Sequence, residues 1–173
     1  MKKGYIHIYT GDGKGKTTAA LGLALRAAGH GFSVYIGQFM KGQFYGELSS
    51  LGKISNITIQ QFGDPGCIRK EEVTPKHIAH AQKGLKEFNA VMKKGLFDIL
   101  VMDEICVAIW FGLISEPQVI DVMASKPKNV ELVLTGRKAS KNLIHHADLV
   151  TEMKDIKHYY TSLGILARKG IEN

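Results

Sequence analysis

A glycine-rich loop near the amino end constrains this chain more than any other feature. Residues 5–10 have the β-branched and aromatic character of a short strand, and residues 17–28 form an Ala- and Leu-rich helical segment. Between them runs Gly11-Asp12-Gly13-Lys14-Gly15-Lys16. A strand, a glycine loop and a helix in this order are the context of a Walker A motif. We therefore predict a loop that binds the phosphates of a nucleoside triphosphate.

Each part of this loop has a physical role in phosphate binding. The glycines let backbone N–H groups wrap around phosphate oxygens, and the helix amino terminus adds a positive dipole. Lys16 would add a point charge, and Thr17 would place its hydroxyl on the Mg²⁺ that the nucleotide carries. Thr10 occupies the position where the usual motif begins with Gly. The loop residues predicted to hold the nucleoside triphosphate are Gly11, Asp12, Gly13, Lys14, Gly15, Lys16, Thr17 and Thr18.

A second candidate half of the site follows a later apolar strand. Residues 98–104 read Asp-Ile-Leu-Val-Met-Asp-Glu, so Asp103 and Glu104 come at the carboxyl end of that strand. In open α/β sheets ligands bind at the carboxyl ends of the strands. We expect one of the two acids to reach Mg²⁺ directly or through water, and either acid could also cap the next helix.

Short strand-like runs alternate with helical segments along the whole chain. An amphipathic helix is predicted from Thr74-Pro75 to Lys94, because apolar side chains recur there at three- and four-residue spacing. This alternation predicts an α/β fold, a mostly parallel sheet flanked by helices, in one domain over residues 1–173. Gly63 to Val73 is the least regular stretch and is predicted to be a mobile loop. The further predicted strands are 33–39, 56–62, 97–102, 130–134 and 149–153.

Composition narrows the class of protein and its partners. The 173 residues carry a formal net charge of +7, which favours nucleic acid, a membrane surface or a polyanionic small molecule. Two cysteines without metal-ligand spacing argue against a disulfide framework or a structural zinc site. No run approaches the roughly 20 apolar residues of a membrane span. We therefore expect a cytoplasmic protein with no membrane partner.

A phosphate loop alone does not specify a reaction. The sequence lacks the arginine-rich lid of a small nucleoside kinase and the Asn-Lys-x-Asp element of a switch GTPase. A basic RecA-like ATPase that couples nucleotide to nucleic-acid binding stays open, because it would account for the positive charge. DNA or RNA would stimulate its ATP hydrolysis, and its binding to nucleic acid would weaken steeply as the salt concentration rises.

Several further blocks make the chain resemble a particular family, the P-loop type of ATP:corrinoid adenosyltransferase. The resemblance extends from the first strand to the last few residues. Besides the loop, the blocks are Gln38-Phe39-Met40-Lys41-Gly42, Met102-Asp103-Glu104-Ile105, Leu134-Thr135-Gly136-Arg137, Ala147-Asp148-Leu149-Val150-Thr151-Glu152 and Gly170-Ile171-Glu172.

The resemblance implies a RecA-like P-loop NTPase fold and a specific reaction. The 5′-deoxyadenosyl group of MgATP passes to the Co(I) of a reduced corrinoid and triphosphate leaves, in cobalamin biosynthesis or salvage. Lys16 and Glu104 are then the candidate catalytic residues, Thr17 and Glu104 the Mg²⁺ ligands, and Arg137 and Lys157 additional cationic contacts. The family also implies a homodimer and a flavodoxin-like or flavin reductase electron donor. Nucleic acid becomes an unlikely partner.

The corrinoid end of the site departs from the family pattern. Some members carry an aromatic pair in the loop after the third strand, near the lower face of the corrin. Here that region reads Phe62-Gly63-Asp64-Pro65-Gly66-Cys67-Ile68, with no Trp. Phe62 and Ile68 are the predicted corrinoid contacts, because either could supply an apolar surface here; the alternative is that the substrate is held differently.

Overall fold

The computed structural model describes residues 1–172 and is built on one six-stranded sheet. Its order is β3-β2-β4-β5-β1-β6, and every neighbouring pair is parallel. All strands therefore present their carboxyl ends at one edge, and β5 separates β1 from β4. The strands are β1 (Ile6–Thr10), β2 (Val34–Phe39), β3 (Ile57–Phe62), β4 (Ile99–Asp103), β5 (Glu131–Thr135) and β6 (Leu149–Glu152).

Six α-helices and one 3₁₀ turn lie between the described strands, and a seventh helix follows β6. The 3₁₀ turn lies at Lys70–Glu72, inside the loop predicted to be mobile. The helices are α1 (Lys16–Gly29), α2 (Gly46–Leu51), α3 (Pro75–Lys93), α4 (Ile105–Trp110), α5 (Glu116–Ala124), α6 (Lys141–His145) and α7 (Tyr159–Leu163).

Helices cover the sheet on both faces, so two hydrophobic clusters flank it. On one face the small residues Ala20, Ala24 and Ala27 of α1 pack against the central strands. On the other face the larger side chains of α3, α4 and α5, such as Phe88, fill the core. Every residue of β2 and β4 is buried, as expected for strands covered on both sides. The rigid sheet fixes the loops at its carboxyl edge.

Backbone strain collects at that same edge. Three non-glycine residues have positive φ: Met40 (62°), Glu104 (60°) and Lys138 (62°). Met40 and Glu104 come directly after β2 and β4, and Lys138 follows the end of β5 by three residues. Such conformations cost energy and persist where surrounding contacts impose them, often at functional sites. Their shared location marks the carboxyl edge as the place to look for a site.

The sequence predicted the main elements well, and their ends shift by no more than two residues. The predicted strand 97–102 begins at Ile99 and extends to Asp103, so one of the two acids belongs to the strand itself. The helices α4 to α7 were not predicted, because five to nine residues carry too little periodicity to recognise. No helix within residues 1–172 is long and apolar enough to cross a membrane. Asn173, the last residue of the predicted domain, lies outside the described residues.

Candidate functional site

The phosphate loop takes its shape from the segment that follows β6. The amide of Gly13 donates to the carbonyl oxygen of Met153 over 2.7 Å. A Cβ at Gly11 would lie 2.4 Å from that same oxygen, and one at Gly13 would lie 2.7 Å from the carbonyl oxygen of Lys154. Gly11 also has a φ of 97°, which favours glycine. Backbone packing alone therefore requires glycine at these two positions.

Lys16 lies buried inside the loop. Its ammonium donates to the carbonyl oxygens of Gly11 (2.8 Å) and Gly13 (2.6 Å). Burial and the nearby Arg137 guanidinium lower the pKa of Lys16, and Glu104 and Asp12 act against that shift. The ammonium thus lies where the loop would hold a phosphate oxygen, and an incoming phosphate would replace the carbonyl partners.

Asp103 organises a buried polar network beneath the loop. Its side chain is completely buried, and its Oδ1 accepts from the hydroxyls of Thr17 (2.8 Å) and Thr135 (2.7 Å). Its Oδ2 accepts from the Lys41 ammonium (2.9 Å) and the Gln38 amide (3.3 Å). With four donors the carboxylate has no free oxygen, so its role here is to orient Thr17.

Among the described residues, the carboxylate of Glu104, unlike that of Asp103, is not saturated by hydrogen-bond donors. Its backbone amide donates to Thr135 Oγ1 over 2.9 Å, which fixes the left-handed turn that begins α4. Within residues 1–172 its carboxylate accepts no hydrogen bond, although it is only partly exposed. Burial, and then the Asp103 charge, raise the pKa of Glu104, while Lys41 and Lys16 lower it. Of the two predicted acids, Glu104 is the one with oxygens free for a ligand.

These oxygens fit a magnesium ion that arrives with a nucleotide. Thr17 and Glu104 supply hard oxygen donors, the type Mg²⁺ prefers. Residues 1–172 hold no group of three or more His, Cys, Asp or Glu side chains able to bind a metal by themselves. A site of one carboxylate and one hydroxyl suits Mg²⁺, which commonly takes its remaining ligands from phosphates and water.

A cavity of about 340 Å³ joins the loop to the ends of β4 and β5. It is lined by residues 13–18 of the loop, by Glu104 and Arg137, and by residues of the segment 158–172. A neighbouring cavity of about 480 Å³ contains Lys41 and Glu47 and shares Thr17, Thr18 and Glu104 with the first. The two cavities are therefore two lobes of one site. Their shared residues Thr17, Thr18 and Glu104 are here called the floor of the site.

Most of the predicted nucleotide residues line this cavity, and three do not. Asp12 is exposed and pairs with Lys138 at 3.4 Å, outside the cavity lining. Gly11 holds Lys16 through its carbonyl oxygen and does not line the cavity. Lys14 lines the cavity, but its ammonium pairs with Glu172 at 3.0 Å. Lys157 is exposed and is absent from the lining.

The two predicted corrinoid contacts lie elsewhere. Phe62 ends β3 opposite Phe39, its ring lies 5.3 Å from the Phe39 ring, and it is 8% exposed. Phe62 is therefore a core side chain in this structure, because its strand register turns it inward. Ile68 is partly exposed and borders, with Phe62, a void of only about 20 Å³. Neither residue lines the two cavities at the phosphate loop.

Four residues that hold side chains of the site in place were not predicted from the sequence. Lys41, Gln38 and Thr135 hold Asp103, and Glu172 holds Lys14. All four belong to the blocks that carried the family resemblance, and that was the available signal. Their partners could not be read from the sequence, because each contact joins residues on different elements.

Comparisons with known proteins relate this chain to one family. The sequence profile of the family "ATP:corrinoid adenosyltransferase BtuR/CobO/CobP" matches residues 2–173. A corrinoid adenosyltransferase of Sinorhizobium sp. is 34% identical, over 99% of this chain and 81% of that protein. The Salmonella typhimurium corrinoid adenosyltransferase is 30% identical, over 99% of this chain and 86% of that protein. An uncharacterised Nostoc protein is 33% identical over 90% of this chain, which spans 45% of the Nostoc protein's length.

A solved structure supports the fold alone. A KaiC-like protein from Pyrococcus horikoshii aligns with 98% of this chain and 76% of its own, at a TM-score of 0.58 and 19% identity. That likeness confirms the predicted RecA-like P-loop fold. The family itself is shown by the profile match over residues 2–173: this chain belongs to the ATP:corrinoid adenosyltransferase family.

Proposed function

We propose that this protein transfers the 5′-deoxyadenosyl group of MgATP to the Co(I) of a reduced corrinoid and releases triphosphate. One observation carries the proposal: Lys16, Thr17, Glu104 and Arg137 surround a single cavity, in a chain matched to the family over residues 2–173. Two cations, Lys16 and Arg137, and two candidate metal ligands, Thr17 and Glu104, thus lie together, which supports stabilisation of a triphosphate leaving group.

The chain's contribution is to align the reactants and to stabilise charge. Co(I) is a strong nucleophile, so attack on C5′ needs alignment of the two substrates more than activation of either. As the C5′–O bond breaks, negative charge grows on the departing triphosphate. The loop amides, the Lys16 ammonium and the Arg137 guanidinium would stabilise that charge. Mg²⁺ held by Thr17 and Glu104 would supply further charge neutralisation.

Asp103 and Lys41 act beneath the substrates. Because Asp103 holds the Thr17 hydroxyl at 2.8 Å and Lys41 holds Asp103 at 2.9 Å, the metal-facing group at the start of α1 is oriented in advance. Preorganisation of this kind lowers the reorganisation needed when the nucleotide binds. We assign both residues a positioning role.

The phosphate-containing product formed from ATP tests the proposal most directly. Protein, MgATP and a chemically reduced corrinoid are mixed without oxygen, and both the phosphate products and the cobalt–carbon bond are followed. Triphosphate together with a light-sensitive organocobalt spectrum is the expected result. ADP and phosphate, formed faster with DNA or RNA, would instead establish the basic nucleic-acid ATPase.

Two variants tie the activity to the site. Lys16→Ala should abolish transfer, because it removes the buried loop cation. Glu104→Gln should reduce transfer and raise the Mg²⁺ concentration needed for half-maximal rate, because an amide is a poorer metal ligand. Lys83→Ala, on an exposed surface of α3, is the matched control and should leave transfer unchanged. Full activity in Lys16→Ala would refute the assignment of the site.

Localisation, oligomeric state and electron donor belong to the same proposal. We propose a cytoplasmic homodimer that receives electrons for cobalt from a flavodoxin-like protein or a flavin reductase. The net charge of +7 supports an acidic protein as the electron donor. Sedimentation of the purified protein and a coupled reduction assay at low and high salt test these two traits separately.

A further inference from the structure

The segment of residues 158–172, here called the strap, lies across the mouth of the phosphate loop. It contains the short helix α7, which has no buried residue. Leu163 and Leu166 are 72% and 71% exposed, so the strap gains little from burial in the core. Its position must therefore depend on a few specific contacts.

Glu172 makes most of those contacts, with Arg168 and Tyr159 inside the strap and with Lys14 of the phosphate loop. Its carboxylate accepts from the Lys14 ammonium (3.0 Å), the Arg168 amide (2.8 Å) and the Tyr159 hydroxyl. Lys14 also donates to the carbonyl oxygen of Ile171 over 3.1 Å. The Arg168 guanidinium lies 4.7 Å from the centre of the Tyr159 ring. Lys14 is thus the loop residue to which the strap is tied.

Glu172 is charged in this arrangement. Burial acts to raise the pKa of Glu172, but the Arg168 amide and the Lys14 ammonium outweigh it and lower the pKa below its ordinary value. A carboxylate therefore pairs with a lysine of the phosphate loop. An anionic side chain here takes a partner that a phosphate would also seek.

The strap also divides the site. Ile171 and Glu172 line both the 340 Å³ cavity and the 480 Å³ cavity, as do Thr17, Thr18 and Glu104. The end of the strap therefore stands over the floor on which the triphosphate and its metal ion would lie. Two like-charged groups, the carboxylate and the triphosphate, would share Lys14 if the strap stayed in place.

We propose that Glu172 is an internal competitor of the triphosphate: it holds the strap over the phosphate loop through Lys14, and binding of a triphosphate displaces it and releases the strap. This inference rests on the proposed function only in requiring that the loop bind a triphosphate. Release joins the two lobes of the site and gives the second substrate access to the nucleotide. The protein thus opens fully after ATP has bound.

Limited proteolysis tests release of the strap directly. Trypsin can cut the strap after Arg168 and Lys169. Cleavage there, followed by intact mass, should be slow in the wild-type protein and at least fivefold faster with Mg²⁺ and inorganic tripolyphosphate. Glu172→Gln should already be cleaved at the fast rate without any ligand. Protection by tripolyphosphate, or an unchanged rate, would overturn the proposal.

Nucleotide affinity tests the competition. Calorimetry with MgATP should give a dissociation constant about three- to tenfold lower for Glu172→Gln than for wild type, because an exposed ion pair and a like-charge contact both disappear. Glu87→Gln, which removes the same charge from an exposed ion pair on α3, should bind like wild type. Weaker binding by Glu172→Gln would mean that the strap closes over ATP, contrary to the proposal.

A double-mutant cycle assigns the effect to Lys14. In a Lys14→Met background, Glu172→Gln should no longer change the affinity for MgATP, because the shared partner is absent. A persistent gain would overturn the competition for Lys14. If the wild-type protein binds MgATP with no change in cleavage, the strap proposal fails and the proposed function stands. If the protein binds neither MgATP nor tripolyphosphate, the proposed function itself fails.

Discussion

The buried pair Lys41–Asp103 offers the sharpest test of the site's energetics. Asp103 is completely buried, and the side chain of Lys41 is 13% exposed with its Nζ 2.9 Å from Asp103 Oδ2. Lys41→Met keeps much of the apolar stem and removes the charge. The Asp103 carboxylate then remains buried with only the neutral donors Thr17, Thr135 and Gln38.

The cost follows from leaving a buried charge without its counter-ion. Removing one partner of a buried ion pair destabilises proteins by about 3–5 kcal/mol. For a domain of this size that free energy corresponds to a fall in melting temperature of roughly 6–20 °C. The three neutral donors reduce the loss, so we expect the lower half of each range.

The pH dependence of the free energy of unfolding tests the Lys41–Asp103 pair independently. Burial acts to lower the pKa of Lys41, but the charge and hydrogen bond of Asp103 outweigh it and raise the pKa. A raised folded-state pKa stabilises the protein fully below the unfolded value of about 10.4, and the stabilisation is lost as pH rises through the folded value. The difference between wild type and Lys41→Met should therefore be constant from neutral pH to about pH 10 and shrink above it.

Urea unfolding at neutral pH and at high pH measures these quantities. Lys41→Arg should retain much of the stability, because it keeps the charge. Lys83→Met removes a lysine from an exposed pair with Glu87 at 3.8 Å and should cost less than about 1 kcal/mol. A loss below about 1 kcal/mol in Lys41→Met would refute the view that Lys41 neutralises Asp103.

Two further predictions concern packing and reactivity. A Cβ at Gly84 would lie 2.5 Å from the Cβ of Phe62, whereas one at Gly22 of α1 meets nothing within 4 Å. Gly84→Ala should therefore destabilise the protein by about 1–3 kcal/mol, and Gly22→Ala should stabilise it by roughly 0.5–1 kcal/mol, in urea unfolding. Equal effects of the two would contradict the packing of α3 on β3. Burial and the Glu104 charge raise the pKa of Cys106 to about 12, while Cys67 is exposed. A thiol reagent at neutral pH should label one cysteine rapidly in the native protein and both in urea, and fast native labelling of Cys106 would contradict its burial.

Local chemistry made much of the site predictable. The glycine spacing, Lys16 and Thr17 follow one another directly, so the strand, loop and helix around them could be predicted without tertiary information. Glu104 could be placed near the loop because parallel strands end at one edge of a sheet. The division of labour between Asp103 and Glu104 could not be predicted, since the residues are adjacent and chemically alike. It depends on four donors that reach Asp103 from α1, β2, the loop after β2 and β5.

Phe62 shows the reverse case. Phe62 was predicted as a corrinoid contact because it borders the irregular loop after β3, and its register opposite Phe39 turns its side chain into the core. A single-strand pattern cannot reveal which face a terminal residue takes, because a shift of one residue exchanges the two faces.

The sequence by itself determined the order of the strands, the two long helices α1 and α3, the phosphate loop and the family, because each depends on residues close together in the chain or on recognisable blocks. The tertiary structure alone decided that β5 lies between β1 and β4, that Asp103 is saturated while Glu104 is free, and that Glu172 reaches Lys14. Those outcomes join residues far apart in sequence. They follow from the strand order and from packing at one edge of the sheet, which no local pattern specifies.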